Sequence, residues 1–184
     1  MRRGIAVVCM VFGLATATLA QSGGAMEEFA EVDPYTKGDA ELMQRLGYVK
    51  MGEFLWHGNK RTSEVQELMG AIPVIFVETA HFKIGSSLNT YVLSGDPEER
   101  DLYKEEVARM KKRLGKMRPP KRDIDPWLRL HLYAQRAEEL YALFMEDFGL
   151  EPGDFEDKGP HLGMGEKFTV MLCERKSEFA RYAK

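Results

Sequence analysis

Cysteine is nearly absent from this 184-residue chain: there are two, Cys9 and Cys173. That excludes a fold stapled by a disulfide framework. Cys9 lies inside an N-terminal apolar run, and Cys173 closes the stretch Phe168-Thr169-Val170-Met171-Leu172, where a small buried hydrophobe is expected. An excess of either charge is missing too. The chain has 26 basic and 29 acidic residues, a net charge of −3, which gives no bulk attraction for nucleic acid, and none is expected as a partner. Histidine is scarce, with only His57, His81, His131 and His161. No two of them stand two to five residues apart, and there is no H-E-x-x-H, so one element cannot hold a zinc ion by itself. Long apolar runs are limited to one, and no later segment is long enough to span a bilayer.

That one run is the most informative segment present. Arg2 and Arg3 precede 16 residues from Ile5 to Ala20, interrupted by Gly13, Thr16 and Thr18, and Gln21-Ser22-Gly23-Gly24 follows. A basic start, a short apolar stretch and small residues at Thr18 and Ala20 have the form of a cleavable signal peptide. The run is shorter than the ~20 residues of a spanning helix. Cleavage after Ala20 removes two arginines and no acid, leaving 164 residues with 24 basic against 29 acidic side chains, a net charge of −5. The expected location is exported, periplasmic or secreted, with no membrane span after cleavage. A chain of that length buries roughly 68–70% of its unfolded surface and needs no staple.

Residues 21–38 read as a flexible lead-in to a single domain over 39–184. Asp39 opens a short helix closed by Gly47, Tyr48 to Trp56 reads as a strand, and Ser63 with Gln66 fits a capping box on a helix ending at Gly70. Pro73 to Val77 suits a strand buried on both faces, and His81 to Ile84 alternates. These segments form one bent strand or two strands meeting near Glu78-Thr79. Asp96-Pro97 starts a helix with Lys111, Lys112 and Arg113 at its far end and a narrow stripe of Tyr103, Val107, Met110 and Leu114, which places it on the outside of the fold. Lys116 to Arg122 is a basic, proline-containing link. Asp125-Pro126 begins the strongest helix, whose stripe of Leu130, Tyr133, Ala134, Ala137, Leu140, Tyr141, Phe144 and Phe148 is expected to cover the sheet. Phe168 to Cys173 is the last strand, and Lys176-Ser177 opens a final helix. The expected architecture is α+β: a small mixed sheet of three to five strands covered by two long helices.

No constellation names a reaction. Gly163-Met164-Gly165 lacks the helix start that would cradle a phosphate. Gly85-Ser86-Ser87 lacks the nucleophile-elbow pattern. Glu138, Glu139 and Glu174 read as surface carboxylates. Nine of the 11 methionines follow the leader, are dispersed, fall mostly on apolar stripes and read as core filling. The expectation is no catalytic residue, no cofactor and no metal site, with His81 and His131 as the only metal candidates, to be joined by a carboxylate from elsewhere.

One arrangement carries a resemblance. Val77-Glu78-Thr79-Ala80-His81-Phe82-Lys83-Ile84 precedes the helix Ala134 to Phe144, then come Lys167 to Leu172 and Lys176-Ser177-Glu178-Phe179-Ala180-Arg181-Tyr182. This order resembles the opening portion of the peptidase MA-like family, exported bacterial proteins of the gluzincin metallopeptidase class. There a T-x-H-F-x-I strand leads to an E-x-L-Y-x-x-F helix, and a second strand and a short helix follow. The likeness covers roughly residues 74–184, with the helix after Asp96 as an insertion. It implies a zinc-binding helix downstream, and no residue up to Lys184 matches those catalytic positions. Two functions follow as expectations. One is an exported non-catalytic binding or scaffold domain, whose sheet edge could take a peptide or protein partner. The other is the N-terminal fragment of a zinc-dependent peptidase whose catalytic helix lies beyond residue 184.

Overall fold

The computed structural model describes residues 32–115, 117, 120–155, 159 and 161–184. The expected signal peptide over 1–20, the expected lead-in as far as residue 31, and Lys116, Arg118 and Pro119 of the basic link lie outside the described residues. Among those described, no helix is long and apolar enough to cross a membrane.

Along the chain come α1 (Ala40–Leu46), β1 (Lys50–Met51), β2 (Leu55–His57), β3 (Lys60–Arg61), α2 (Thr62–Leu68), β4 (Ile75–Glu78) and β5 (Phe82–Ser86). Then follow β6 (Tyr91–Val92), α3 (Pro97–Leu114), β7 (Asp123–Ile124), α4 (Pro126–Asp147), a 3-10 turn (Pro152–Phe155), β8 (Phe168–Leu172) and α5 (Lys176–Tyr182). The main sheet has four strands in the order β1-β4-β5-β8, and β2–β3 and β6–β7 form two small antiparallel pairs. β1, β4 and β5 run antiparallel, and β8 runs parallel to β5, so the sheet is mixed and the fold is α+β. A parallel neighbour needs a crossover, and the chain from α3 through α4 supplies it.

Local chemistry sets the helix ends. The Asp39, Asp96 and Asp125 side chains accept from the N–H of Leu42, Glu98 and Leu128, and prolines occupy the first position of α3 and α4. Gly47 takes the left-handed φ of 82° that closes α1. The capping box of α2 differs from the expected Ser63–Gln66 pair: Glu64 reaches back to the backbone N–H of Arg61 at 2.6 Å. The segment Tyr48 to Trp56 is also not one strand. It breaks at Gly52, where φ is 79°, so that β1 joins the main sheet and β2 joins the β2–β3 pair.

The alternation along β4 divides the core into two layers. Ile75 and Val77 pack with Ile84, Leu128, Leu130 and the α3 stripe, while Val74 and Phe76 pack with Phe54, Trp56, Val65 and Met69 under α2. Both faces of β4 are therefore covered, as its continuous apolar run implies. Gly85 in β5 is required by a close approach, since a Cβ there would lie 2.8 Å from the Phe76 ring and 2.9 Å from the Met171 methyl. Tyr103, Val107, Met110 and Leu114 are all buried, and α3 packs chiefly on α1 and α4, which keeps it on the outside of the fold. Two bidentate ion pairs tie α3 to α4: Arg136 to Glu106 at 2.6 and 2.7 Å, and Arg109 to Glu139 at 3.0 and 3.2 Å.

The stripe on α4 corrects the expectation from periodicity. Its first half is core, with Leu128, Leu130, Leu132 and Ala134 buried. Its second half runs past the sheet: Leu140, Leu143, Phe144 and Phe148 are 64%, 51%, 40% and 68% exposed. Phe144 and Phe148 pair with ring centroids 4.6 Å apart. A 22-residue helix is about 33 Å long, and a five-residue strand is about 17 Å, so the helix outruns the sheet it packs on. Cys173, expected to be buried, is half-buried beside the second layer.

Candidate functional site

His81 stands at the tight turn between β4 and β5. Its backbone N–H donates to Glu138 Oε1 at 3.0 Å, and its Nδ1 lies 2.7 Å from Glu138 Oε2. A carboxylate only accepts, so Nδ1 carries a proton and donates to Glu138. Tyr141, one turn further along α4, stacks on the imidazole at 3.7 Å, and His161 meets it edge-on at 6.1 Å. Burial acts to raise the Glu138 pKa, but hydrogen bonds from Thr79 and His81, with the charge of His81, hold it below the usual carboxylate value. Burial, then the nearby charges of His81 and Lys167, lower that of His161. Glu138 is thus not the free surface carboxylate expected from sequence. Its i, i+3 spacing to Tyr141 on α4 is the one signal that could have suggested a shared target.

Beside this cluster is a cavity of about 240 Å³ lined by His57, Glu78, Lys83, His161, Glu166 and Lys167. Its charges satisfy one another. Lys167 Nζ pairs with Glu78 at 2.8 Å and donates to the Thr79 carbonyl at 2.6 Å. His57 meets Glu166 at 3.3 Å, and Lys83 donates to the Trp56 carbonyl at 2.9 Å.

His131 is elsewhere, fully buried in the first half of α4. Its Nε2 lies 3.1 Å from Asp33 Oδ1 and its Nδ1 lies 2.5 Å from the Tyr48 hydroxyl. A carboxylate only accepts, so Nε2–H donates to Asp33, and the Tyr48 hydroxyl engages Nδ1, so neither nitrogen is left for a metal. Asp33 also accepts from the Tyr35 N–H and from the Thr36 hydroxyl, and the Tyr35 hydroxyl donates to Asp125. Residues 33–36, expected within the lead-in, are therefore a buried clasp on α4. Burial acts to raise the Asp33 pKa, and the hydrogen bond and charge of His131 with the bonds from Thr36 and Tyr35 overcome it, leaving it lowered. The two candidate metal ligands are not brought together. Among the described residues, no group of three or more His, Cys, Asp or Glu side chains is arranged to hold a metal ion.

The third feature is the β8 edge. Phe168 N–H donates to the His81 carbonyl at 2.9 Å, and the Leu172 carbonyl accepts from Ser87 at 2.9 Å. In a parallel ladder alternate residues turn both main-chain groups to the same neighbour. Phe168, Val170 and Leu172 therefore serve β5, and the N–H and C=O of Thr169 and Met171 point outward from the last strand of the sheet. All five β8 residues are half-buried, and none carries a charge. Edge strands are ordinarily blunted by charges, proline or a bulge, and β8 has none of these. The bare end of α4 lies toward the same end of the sheet, with Tyr141 beside Phe168 at 6.4 Å.

Fold and site together define an α+β domain whose last sheet strand is uncharged, unpaired on its outer side among the described residues, and flanked by an apolar helix end. No protein-family model matches the chain, and no curated protein or solved structure matches it either.

Proposed function

We propose that the chain is an exported, non-catalytic binding module that accepts an extended polypeptide segment along β8. The observation that carries this reading is the outward-facing main chain of Thr169 and Met171 on an uncharged last strand. Strand addition draws affinity from main-chain hydrogen bonds and specificity from alternate side chains. Phe168, Val170 and Leu172 share the α4 face of β8, so the partner segment has apolar residues at every second position, facing the exposed end of α4. The lack of charge over 168–172 favours a partner uncharged at its centre.

Panning a random-peptide phage library against the full chain tests this. The expected result is enrichment of alternating apolar sequences that bind wild type and Thr169→Val equally and bind Thr169→Pro about tenfold more weakly. Proline removes the outward N–H without touching the bonds to β5. No enrichment, or peptides indifferent to Thr169→Pro at unchanged melting temperature, would contradict the proposal.

A second reading rests on the exposed half of α4. In it the chain is the front portion of a zinc-dependent peptidase, and a catalytic half encoded after Lys184 covers Leu140, Phe144 and Phe148. An H-E-x-x-H in the downstream reading frame would favour it, and a stop codon directly after Lys184 would remove it.

A further inference from the structure

A second candidate binding surface shares no residue with β8. α3 turns Tyr103 and Val107 into a groove of about 550 Å³, closed on its other side by Leu93 and Pro120. This volume is within the ordinary range for small-ligand sites. The floor is apolar, since Leu93, Tyr103 and Val107 are buried side chains. Its one polar atom is already engaged, because the Tyr103 hydroxyl donates to the Pro120 carbonyl at 3.2 Å. Burial and the neighbouring Asp125 push that phenol up to about 12, so it brings no charge at neutral pH. The charged groups at the groove are Arg100, Lys104, Lys111 and Lys121, and no carboxylate lines it among the described residues. Arg100 Nε donates to the Ser94 carbonyl at 3.0 Å, and Lys104 pairs with Asp101 at 2.8 Å. Lys111 and Lys121 have no ion pair among the described residues.

We propose that this groove binds a single-chain anionic amphiphile of the fatty-acid class. Its alkyl chain lies along Leu93, Tyr103 and Val107, and its carboxylate lies on Lys111 and Lys121. Charge complementarity selects the head group: among the described residues four cations and no acid line the cleft. The floor selects the body of the ligand. A peptide laid there would bury main-chain groups with no partner, which is costly, whereas each methylene buried is favourable. The α3 face from Arg100 to Lys111 is about 16 Å long, which gives an extended chain room to lie beside the helix.

The test is titration of the full chain with cis-parinarate, a fluorescent polyene carboxylate, with dodecanoate and dodecanol as competitors. The expected result is saturable 1:1 binding that dodecanoate displaces better than dodecanol. In the Lys111→Glu/Lys121→Glu double variant, dodecanoate should weaken at least tenfold and dodecanol less than threefold. Ala108→Trp, a change at an exposed α3 position beside the floor, should remove both at an unchanged melting temperature. Non-saturable binding, equal losses for acid and alcohol on charge reversal, or indifference to Ala108→Trp would overturn the proposal.

Discussion

Glu138 holds His81 through both carboxylate oxygens, one taking the backbone N–H at 3.0 Å and the other meeting Nδ1 at 2.7 Å. The contact fastens the β4–β5 turn to the middle of α4, at the point where that helix leaves the core. It also fixes the imidazole orientation, with Nε2 turned away from the carboxylate.

Glu138→Ala should destabilise the protein by about 1.5–3 kcal/mol, the usual worth of hydrogen bonds to a charged group. Glu138→Gln should recover part of that loss, since an amide oxygen still accepts. The carboxylate pKa is lowered in the folded state, so the stabilisation is complete above the unfolded carboxylate value and is lost as pH falls through the lowered one. Chemical denaturation from pH 7 down to pH 3 should show wild type and Glu138→Ala converging at the acid end. A constant gap across that range would contradict the assignment.

Asp33 anchors the segment before α1 to His131, and both side chains are buried. Asp33→Ala should cost about 1.5–3 kcal/mol, because it leaves the His131 N–H without an acceptor in the core. Asp33, like Glu138, has a lowered pKa, so its contribution too is present at neutral pH and fades on acidification. Urea titrations of Asp33→Ala and wild type at neutral and acid pH measure both effects. A variant with wild-type stability at pH 7 would mean that the clasp adds nothing to the fold.

The two halves of α4 should answer differently to mutation. Leu130→Ala removes a fully buried side chain and should cost about 2–5 kcal/mol. Phe144→Asp changes a ring that is 40% exposed and should cost less than Leu130→Ala, leaving the protein folded. Thermal melts of the two variants decide the matter. Unfolding by Phe144→Asp would restore the buried face that periodicity implies and contradict the exposed helix end.

Helix ends were the most legible part of the fold. Asp39 with Gly47, Asp96-Pro97 and Asp125-Pro126 announce α1, α3 and α4 through chemistry contained within a few residues. The two-sided burial of β4 was legible for the same reason, as a continuous apolar run. What failed depended on length or on partners far along the chain. Periodicity gave the apolar side of α4 but not the point at which the sheet beneath it ends, so Phe144 and Phe148 looked like core. Gly52 was visible as a glycine, yet its φ of 79° is what sends β1 and β2 into different sheets. The Asp33–His131 and His81–Glu138 contacts join residues 98 and 57 positions apart. Nothing local distinguishes those acids from solvated ones. The open edge was foreseen only in general terms, because strand order decides which strand is last.

Amide hydrogen exchange along β8 tests the central claim most directly. The account predicts that in the free protein the amides of Val170 and Leu172 exchange slowly while those of Thr169 and Met171 exchange fast, and that a peptide selected on the wild-type chain slows the latter pair. Equal protection of all four amides in the free protein would contradict it, because the edge would then already be paired.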